Sequence, residues 1–424
     1  MTACGWKLTP IRDVCEAIID CVNKTAPTVE YETPFKMIRT TNVKNGWINL
    51  DEVRCVDADT FARWNRRATP RKGDVILTRE APLGEVGMLR GSENVFLGQR
   101  LVMYRANPEV LDNRFLLYSF QEAFLQGQIR SLGSGATVEH MRVPDAEKLI
   151  IRLPALTVQK RVADVLIGYD DLIENNTRRI KILEELAQMI YRHWFVNFRF
   201  PGHETMGMVE SDSGPIPNGW SAKCITDAVF VNPTTRVPNE GVKPFVPMGS
   251  LSENSMLITD VEDREGNSGS KFRNGDTLFA RITPCLENGK TGFVQFLPSD
   301  DAVAFGSTEF IVLRSKTVCP EYVYLMARSS EFRDNAIKSM SGATGRQRVQ
   351  EACFNRFFIA QPDSDILVCF KGIVGPMFRL IHSLSSRNRV LRITRDLLLP
   401  KLISGEVPVE AADEVAAELM EQTA

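Results

Sequence analysis

The stretch ILVCFKGIVGPMFRLIHSLSSRNRVLRITRDLL, residues 366–398, repeats mainly apolar residues at alternating spacings of four and three. The repeated positions are Ile366, Phe370, Ile373, Met377, Leu380, Leu384, Arg387, Leu391, Thr394 and Leu398, of which Arg387 and Thr394 are polar. Such spacing places these side chains on a single side of a helix and is typical of a coiled coil. Pro400 and Gly405 are residues that end helices, so we predict a C-terminal helix over residues 362–404.

A second stretch of similar spacing lies between Pro154 and Phe198 and predicts a central helix over residues 154–200. Its apolar positions are Val158, Val162, Val165, Tyr169, Leu172, Leu183, Ala187, Ile190 and Trp194. A helix of about 40 residues would be about 60 Å long, more than a globular domain needs. Either stretch alone would fit a core helix, but two at equivalent places favour an antiparallel coiled-coil spacer. Polar residues at or beside the seam would set its register or remain solvated, and these are Asn176, Arg387, Asn388 and Thr394.

The segments in front of the two helices repeat each other. Gly73-Asp74, Arg79 and Pro82 recur 202 positions later as Gly275-Asp276, Arg281 and Pro284. GQRLVMYR at 98–105 parallels GSTEFIVLR at 306–314, and SGAT occurs at both 134–137 and 341–344. Because each copy is large enough for a core of its own, the duplication predicts two similar domains with pseudo-two-fold symmetry.

Each copy combines short β-branched and aromatic runs, such as DVILTR and FIVLR, with turn residues and one helical stretch (111–127 and 320–339). This pattern predicts the α+β fold class, with a mostly antiparallel sheet in each copy. The predicted boundaries are 1–153 for the first domain, 154–200 for the central helix, 201–217 for a polar linker, 218–361 for the second domain, 362–404 for the C-terminal helix and 405–424 for an acidic tail.

Composition restricts the class of protein. The 424 residues are 43% hydrophobic and 25% charged, as in an ordinary soluble protein, and the formal net charge is −2. A surface for nucleic acid would therefore be a local basic patch. The sequence shows no signal-peptide pattern, no run of about 18 apolar residues and, among nine cysteines, no CxxC pair. We expect a cytoplasmic protein with reduced cysteines and no membrane segment.

Motifs for the relevant catalytic chemistries are missing from the sequence. The pairs Asn107-Pro108 and Asn232-Pro233 lack the continuation that an amine methyltransferase needs, and Pro284 stands where a phosphate loop ending in Gly289-Lys290-Thr291 needs its first glycine. The acidic residues near Lys148 are too closely spaced for nuclease metal ligands, and four isolated histidines give no zinc spacing. We expect a chain without catalytic residues, metal ligands or a cofactor of its own.

Three strings are together more specific than any single motif. They are LPALTVQKRVADVLIGYDDLIENN (153–176) leading to IYRHWFVNF (190–198), STEFIVLR (307–314) and LLLPKLISGEV (397–407). In these strings, and in its order of domain, helix, domain and helix, the chain resembles the specificity subunits of type I restriction-modification systems over about residues 5–405. Val158-Gln159, Asn197 and the start of the second helix depart mildly from the family pattern.

The resemblance implies two target-recognition domains, each reading one half of a bipartite, asymmetric site in double-stranded DNA while the helices fix the unread spacer. It also implies docking of two modification subunits, which bind S-adenosylmethionine and methylate adenine, and of restriction subunits, which use ATP and Mg. This chain would itself be a non-catalytic recognition subunit. Two other interpretations stay open at this stage: a non-catalytic coiled-coil adaptor with two protein-binding domains, and a standalone nuclease.

Base reading and phosphate contact call for Arg, Lys, Asn, Gln, Ser and Thr on exposed loops, and both copies contain such stretches. Arg63, Arg66 and Arg67 are the strongest phosphate candidates in the first copy, and Arg346 and Arg348 bracket Gln347 in the second. The full DNA-binding candidates of the first copy are Arg39, Thr41, Asn42, Lys44, Arg63, Trp64, Arg66, Arg67, Arg79, Gln99, Arg100, Arg130, Ser134 and Arg142. Those of the second copy are Lys243, Arg281, Lys290, Ser307, Arg346, Gln347 and Arg348.

Overall fold

The chain folds as two compact units. The computed structural model describes residues 5–51, 53–91, 93–133, 139–211, 214–343, 345–412 and 414–416. Unit 1 comprises Met1–Ile173 and Arg389–Ala424, and unit 2 comprises Glu174–Asn388. Both divisions fall inside a long helix, so each unit contains one globular domain together with part of each helix.

The domain of unit 1 is built on two small sheets. Its strands are β1 (Lys7–Pro10), β2 (Cys15–Asp20), β3 (Phe35–Ile38), β4 (Val43–Lys44), β5 (Trp47–Ile48), β6 (Arg54–Cys55), β7 (Val75–Arg79), β8 (Leu83–Met88), β9 (Asn94–Leu97), β10 (Leu101–Ala106) and β11 (Ile150–Leu153). One sheet is antiparallel, in the order β2-β10-β7-β8. In the other, β3 lies antiparallel to β6 and parallel to β9. β1 pairs antiparallel with β11 and so joins the two ends of the domain.

Helices cover one face of the antiparallel sheet in unit 1. They are α2 (Asn113–Gln121), α3 (Ala123–Leu132) and α4 (Val143–Ala146), followed by the long helix α5 (Leu156–Tyr191). The short helix α1 (Ala58–Trp64) packs instead on the other sheet, where its Phe61 and Trp64 lie beside Phe96 of β9. The Asp112 carboxylate caps α2 by accepting from the amides of Arg114 and Phe115. Phe115, Tyr104 and Leu166 are fully buried in one cluster, so α2, the sheet and α5 share a core.

The domain of unit 2 repeats this arrangement. Its strands are β12 (Met208–Val209), β13 (Ile216–Pro217), β14 (Ser221–Cys224), β15 (Val229–Val231), β16 (Lys243–Val246), β17 (Glu262–Arg264), β18 (Ser270–Arg273), β19 (Thr277–Ala280), β20 (Thr291–Phe293), β21 (Val303–Gly306), β22 (Phe310–Ser315) and β23 (Phe358–Gln361). Its helices are α6 (Ile225–Ala228), α7 (Pro320–Ala327), α8 (Ser330–Lys338) and the long α9 (Ser364–Ser404). The order β15-β22-β19-β20, the parallel pair of β16 and β21, and the pair of β14 and β23 all have counterparts in unit 1. The predicted α+β duplication is confirmed.

The Gly-Asp repeat is explained by a turn and a buried ion pair that each copy needs. The glycines of Gly73-Asp74 and Gly275-Asp276 have φ angles of 92° and 86°, in the left-handed region that favours glycine. Each buried Asp then receives two hydrogen bonds from one guanidinium, at 2.9 and 2.7 Å from Arg105 and at 2.7 and 2.7 Å from Arg314. The strongest repeat signal in the sequence therefore reports the framework of the fold.

The two long helices pack against each other in opposite directions, as predicted. Within unit 2, Asn176 of α5 donates a hydrogen bond to Asn388 of α9 over 2.9 Å. Farther along, the ring of Trp194, in the five-residue π-helix that follows α5, lies 5.8 Å from that of Phe370. From the first contact to the second, residue numbers rise from 176 to 194 on one helix and fall from 388 to 370 on α9, so the two helices are antiparallel.

The seam, meaning the line of side chains along which the two helices contact each other, lies at several places one residue away from the predicted positions. Ile173, Val374, Ile381 and Asn388 are buried, whereas four predicted seam residues next to them are exposed, namely Leu172 (55% exposed), Ile373 (39%), Leu380 (37%) and Arg387. One cause is that polar residues occupy buried positions on these helices, namely Asp170, Asn176 and Asn388. A prediction based on the spacing of apolar residues leaves such polar positions out and selects apolar residues on the neighbouring face of the helix instead.

The C-terminal end of α9 differs from the prediction that Pro400 helps to stop the helix. The helix continues through Pro400 to Ser404, and Gly405 follows with a φ of 75°. Beyond it, Ala412 and Ala416 are buried in the core of unit 1. The first part of the acidic tail thus belongs to the packed structure of unit 1.

The predicted polar linker also contributes to a core. Within it, β12 pairs with β13, and Ile216 is buried. The rings of Phe200 and Trp220, just outside its ends, stack with centroids 4.8 Å apart in the core of unit 2. These three apolar side chains hold residues 200–220 to the second domain.

Among the residues that the structure describes, one helix, α9, is long and apolar enough to cross a membrane by length and composition. The expectation that the sequence holds no run of about 18 apolar residues is not contradicted, because Lys371 and Arg379 interrupt the apolar residues of this helix. Its apolar side chains have another explanation, because Phe370 and Phe378 are buried in the core of unit 2 and Leu398 and Leu402 in that of unit 1.

Candidate nucleic-acid interface

Three segments of unit 1 meet at the end of β7. The backbone N–H of Arg79 donates to the carbonyl oxygen of Arg100 over 2.8 Å, and the carbonyl oxygen of Arg79 accepts from the N–H of Met141 over 3.0 Å. The Arg79 side chain adds a third bond, from Nη1 to the Met141 carbonyl oxygen at 3.0 Å. We call residues 79–80, 99–100 and 140–142 the unit 1 corner.

Unit 2 builds the same arrangement at the end of β19. The N–H of Arg281 donates to the carbonyl oxygen of Glu309 over 3.0 Å, and the N–H of Val349 donates to the carbonyl oxygen of Arg281 over 2.9 Å. Thr283 and Gln347 exchange two further bonds of 3.1 Å through their backbones and the Thr283 hydroxyl. We call residues 281–283, 307–309 and 345–349 the unit 2 corner.

Many of the predicted DNA-binding residues come together at these corners. In unit 1 they are Arg79, Gln99, Arg100 and Arg142, and in unit 2 they are Arg281, Ser307, Arg346, Gln347 and Arg348. Arg39 lies beside the first corner, since the carbonyl of its neighbour Ile38 accepts from Gly98 over 2.7 Å. Lys290 lies beside the second, since its own carbonyl accepts from Ala280, the residue before Arg281.

Other predicted residues lie elsewhere on the two domains. Trp64 packs on Phe96 in a small separate core, with ring centroids 6.5 Å apart, and donates from Nε1 to the Lys24 carbonyl oxygen over 3.4 Å. The remaining members of this group are Thr41, Asn42, Lys44, Arg63, Arg66, Arg67, Arg130 and Lys243. Ser134 lies outside the described residues.

Three of the predicted residues are buried, in contrast to the exposed loop positions that the sequence indicated. Asn42 accepts from the Arg39 amide over 2.9 Å and so closes a turn. The Nζ of Lys243 donates to the carbonyl oxygens of Glu240 and Gly241. Arg79 is 9% exposed and is bonded to Met141 as described above. Their polar groups are used inside the fold, a property of tertiary structure that loop composition does not reveal.

Several of the predicted cations are paired with acids. Ion pairs join Arg67 to Asp20, Arg100 to Glu80 (3.4 Å), Arg142 to Asp145 (2.8 Å), Arg281 to Glu351 (3.7 Å) and Arg348 to Glu309 (2.6 Å). Within the described part of the chain, the exposed side chains of Lys44, Arg66 and Arg346 have no ion pair. Arg346 thus combines a corner position with an uncompensated charge.

The acidic residues of the corners are not among the predicted residues, because base and phosphate contacts called for cations, amides and hydroxyls. Glu80 directly follows Arg79, and Glu309 lies within the STEFIVLR string, so both adjoin stretches that had been singled out. Glu309 accepts from both Nε and Nη2 of Arg348 over 2.6–3.0 Å. These bonds hold the pKa of the Glu309 carboxyl below its ordinary value. The pair is therefore fully charged at neutral pH.

The corners present hydrogen-bond donors and acceptors on loops that backbone hydrogen bonds hold in place. Arginine, glutamine, serine and glutamate are side chains that bind phosphates or the edges of bases. Among the residues that the structure describes, no group of three or more His, Cys, Asp or Glu could hold a metal ion. The arrangement suits recognition of a polar, anionic partner at two equivalent surfaces.

Comparisons with known proteins agree with this duplicated architecture. Residues 4–185 match the family described as the type I restriction modification DNA specificity domain. The type I restriction enzyme MjaIX specificity subunit of Methanocaldococcus jannaschii is 25% identical over 354 residues, which cover 80% of this chain and 78% of the relative. The putative MjaX specificity subunit of the same organism is 30% identical over 312 residues, which cover 68% and 71%.

A solved structure shows the same fold over nearly the whole chain. The S subunit of the type I restriction-modification system from M. genitalium superposes with a TM-score of 0.55 at 13% identity, covering 94% of this chain and 96% of that one. With the duplicated domains, the paired helices and the relatives in sequence taken together, this chain belongs to the family of type I restriction-modification specificity subunits.

Proposed function

We propose that this chain is the DNA-reading subunit of a type I restriction-modification complex and that each domain reads one half of a bipartite, asymmetric site. The observation that carries the proposal is the duplicated corner. Two domains of one fold present the same three segments but different side chains, as recognition of two different half-sites requires. The α5 and α9 helices would then fix the length of the unread spacer.

The chain would act without catalysis of its own, in the cytoplasm. Two modification subunits carrying S-adenosylmethionine would methylate adenine, and restriction subunits using ATP and Mg would cleave unmodified DNA. The exposed apolar side chains of the two long helices, including Met189 (59% exposed) and Val368 (70%), are available for such partners. No cofactor is assigned to this chain.

The function is tested by assembling the chain with its modification subunits and mapping methylated adenines in cells that carry the complete system. We expect a single motif made of two specific segments separated by a fixed number of unread bases. A duplex containing that motif should bind the complex more tightly than a scrambled duplex at the same salt concentration. Absence of duplex binding would instead support an adaptor with two protein-binding domains.

Replacing Arg346 by alanine is expected to weaken DNA binding and to lower the slope of log affinity against log salt by about one unit, because one phosphate contact is lost. Arg346 is exposed at the unit 2 corner and its guanidinium is unpaired within the described structure. The matched control is Arg273→Ala, an exposed arginine just before the opposite end of β19. A titration over several salt concentrations measures both; an unchanged slope for Arg346→Ala contradicts the assignment.

Lengthening both long helices is expected to lengthen the spacer of the DNA site without changing its two specific segments. Seven residues inserted after Ile173 of α5 and seven after Asn388 of α9 add two turns to each helix, or about 10 Å. At about 3.4 Å per base pair this corresponds to roughly three base pairs. Methylome sequencing gives the new motif. The same insertion after the exposed Asp300 should leave the spacer unchanged, and altered half-site bases would contradict the proposal.

A further inference from the structure

The two corners share a backbone framework but differ in the side chains that it carries. Arg100 and Glu309 occupy the same place, because their carbonyl oxygens accept from Arg79 and Arg281 at 2.8 and 3.0 Å. The turn residue is thus a cation in unit 1 and an anion in unit 2.

The segment facing this turn is also equivalent in the two units. The backbone N–H of Met141 donates to Arg79, the last residue of β7. The backbone N–H of Val349 donates to Arg281, the residue after β19. The residues just before them, His140 and Arg348, form isolated bridges with Glu80 and Ile282 respectively. His140 and Arg348 therefore face the turn from the same position.

The turn residue is paired with an opposite charge in both units, but a different segment supplies that charge: the end of β7 in unit 1 and the facing segment in unit 2. In unit 1, Nε of Arg100 lies 3.4 Å from the carboxylate of Glu80. In unit 2, the carboxylate is on the turn and the guanidinium on the facing segment, with Glu309 and Arg348 2.6 Å apart. Each side chain is thus held in one orientation by a partner of opposite sign.

The change of charge at the turn residue is not required by the fold. Positions that the framework needs are the same in both copies, as the buried pairs of Asp74 with Arg105 and Asp276 with Arg314 show. Arg100 and Glu309, by contrast, are partly exposed, with 51% and 22% of their side chains accessible. A position that keeps its backbone contacts while its charge changes is one at which recognition can vary freely.

We propose that Arg100 and Glu309 are specificity-determining residues, one in each recognition domain; this inference rests on the proposed function. A guanidinium donates to the O6 and N7 acceptors that guanine presents in the major groove, whereas a carboxylate accepts from the exocyclic amine of cytosine. A carboxylate has about four acceptor sites, so Glu309 retains acceptor capacity while Arg348 donates to it. Arg100 therefore selects guanine in one half-site and Glu309 selects cytosine in the other.

The test uses the complex of the full chain with its modification subunits and a duplex library in which both half-sites are randomised. Bound sequences are compared for the wild type, Arg100→Gln and Glu309→Gln. We expect Glu309→Gln to reduce the preference for cytosine at one position of one half-site by about 5- to 150-fold, the discrimination typical of one good base contact. Arg100→Gln should do the same for guanine in the other half-site, and each variant should leave the opposite half-site unchanged.

Charge-conserving variants separate base reading from support of the fold. Glu309→Asp and Arg100→Lys keep the sign of the charge but move or reshape the group, so each should relax the preference at the same single position. Lys72→Gln and Arg273→Gln, exposed residues outside the corners, serve as controls with unchanged preferences. Equal weakening for all sequences, or unchanged base preferences, would overturn the inference. Failure of the wild-type complex to select any duplex would overturn the proposed function instead.

Discussion

Replacing Asp276 by alanine is expected to lower the free energy of unfolding of unit 2 by about 3–5 kcal/mol, because it leaves a guanidinium that is only 13% exposed without its counter-charge. Asp276 is fully buried and receives two hydrogen bonds of 2.7 Å from Arg314. It also accepts from the Arg273 amide over 2.9 Å. In the variant, the Arg314 guanidinium loses both carboxylate bonds and keeps its hydrogen bond to the Thr235 hydroxyl, at 2.8 Å.

Thermal or denaturant unfolding of the full chain measures this loss. For a unit of about 200 residues each 1 kcal/mol corresponds to about 2–4 °C in Tm. The matched control is Glu262→Ala, which removes an exposed pair with Arg264 (46% and 49% accessible) and is expected to cost at most about 1 kcal/mol. Asp74→Ala should reproduce the large effect in unit 1. Equal losses for Asp276→Ala and Glu262→Ala would show that the pair does not hold the framework.

The duplicated fold could be predicted because its framework leaves a direct trace in the sequence. Gly73-Asp74 and Gly275-Asp276 need particular residues at fixed distances from β7 and β19, so both copies retain them. A left-handed glycine and a buried carboxylate tolerate few replacements. Repeats of this kind survive when most surface positions have diverged.

The seam of the helices was predicted only in part, and one cause of the failures is the burial of polar residues. Phe370, Leu384 and Leu398 were placed correctly because apolar residues dominate there. Asp170 was not included, and Asn388 was placed only at or beside the seam, although both are 2% exposed. A polar residue is buried where it has a specific hydrogen-bond partner. Such partners come from distant parts of the chain, which a local period does not contain.

The candidate site was likewise predicted only in part. Composition and turn residues identified the basic loops around Arg100 and Arg346. They did not identify Glu80 and Glu309, because the pairing of an acid with an arginine depends on which strands are neighbours. Nor did they reveal that Lys243 is enclosed by backbone carbonyls. Loop composition predicts where a recognition surface could lie, whereas tertiary structure determines which of its charged side chains are exposed and unpaired.

The second large effect is expected for Asp170→Ala, at about 3–5 kcal/mol of unfolding free energy in unit 1, again through an uncompensated buried charge. Asp170, in α5, is 2% exposed and pairs with Arg395 of α9. It also accepts from the hydroxyl of Tyr118 in α2 over 2.7 Å and lies 3.9 Å from Nη2 of Arg90. One carboxylate thus joins both long helices to the recognition domain.

Asp171 provides the control. Like Asp170 it lies in α5 and contacts Arg90, but its side chain is exposed. Its side chain is 60% accessible and pairs with Arg90 over 2.7 Å, so Asp171→Ala is expected to cost at most about 1 kcal/mol. The double variant Asp170→Leu with Arg395→Leu removes both buried charges and should recover much of the stability. If the double variant were as unstable as Asp170→Ala, loss of helix packing rather than a stranded charge would be the cause. Unfolding of the three variants under one set of conditions therefore separates the two origins of the effect.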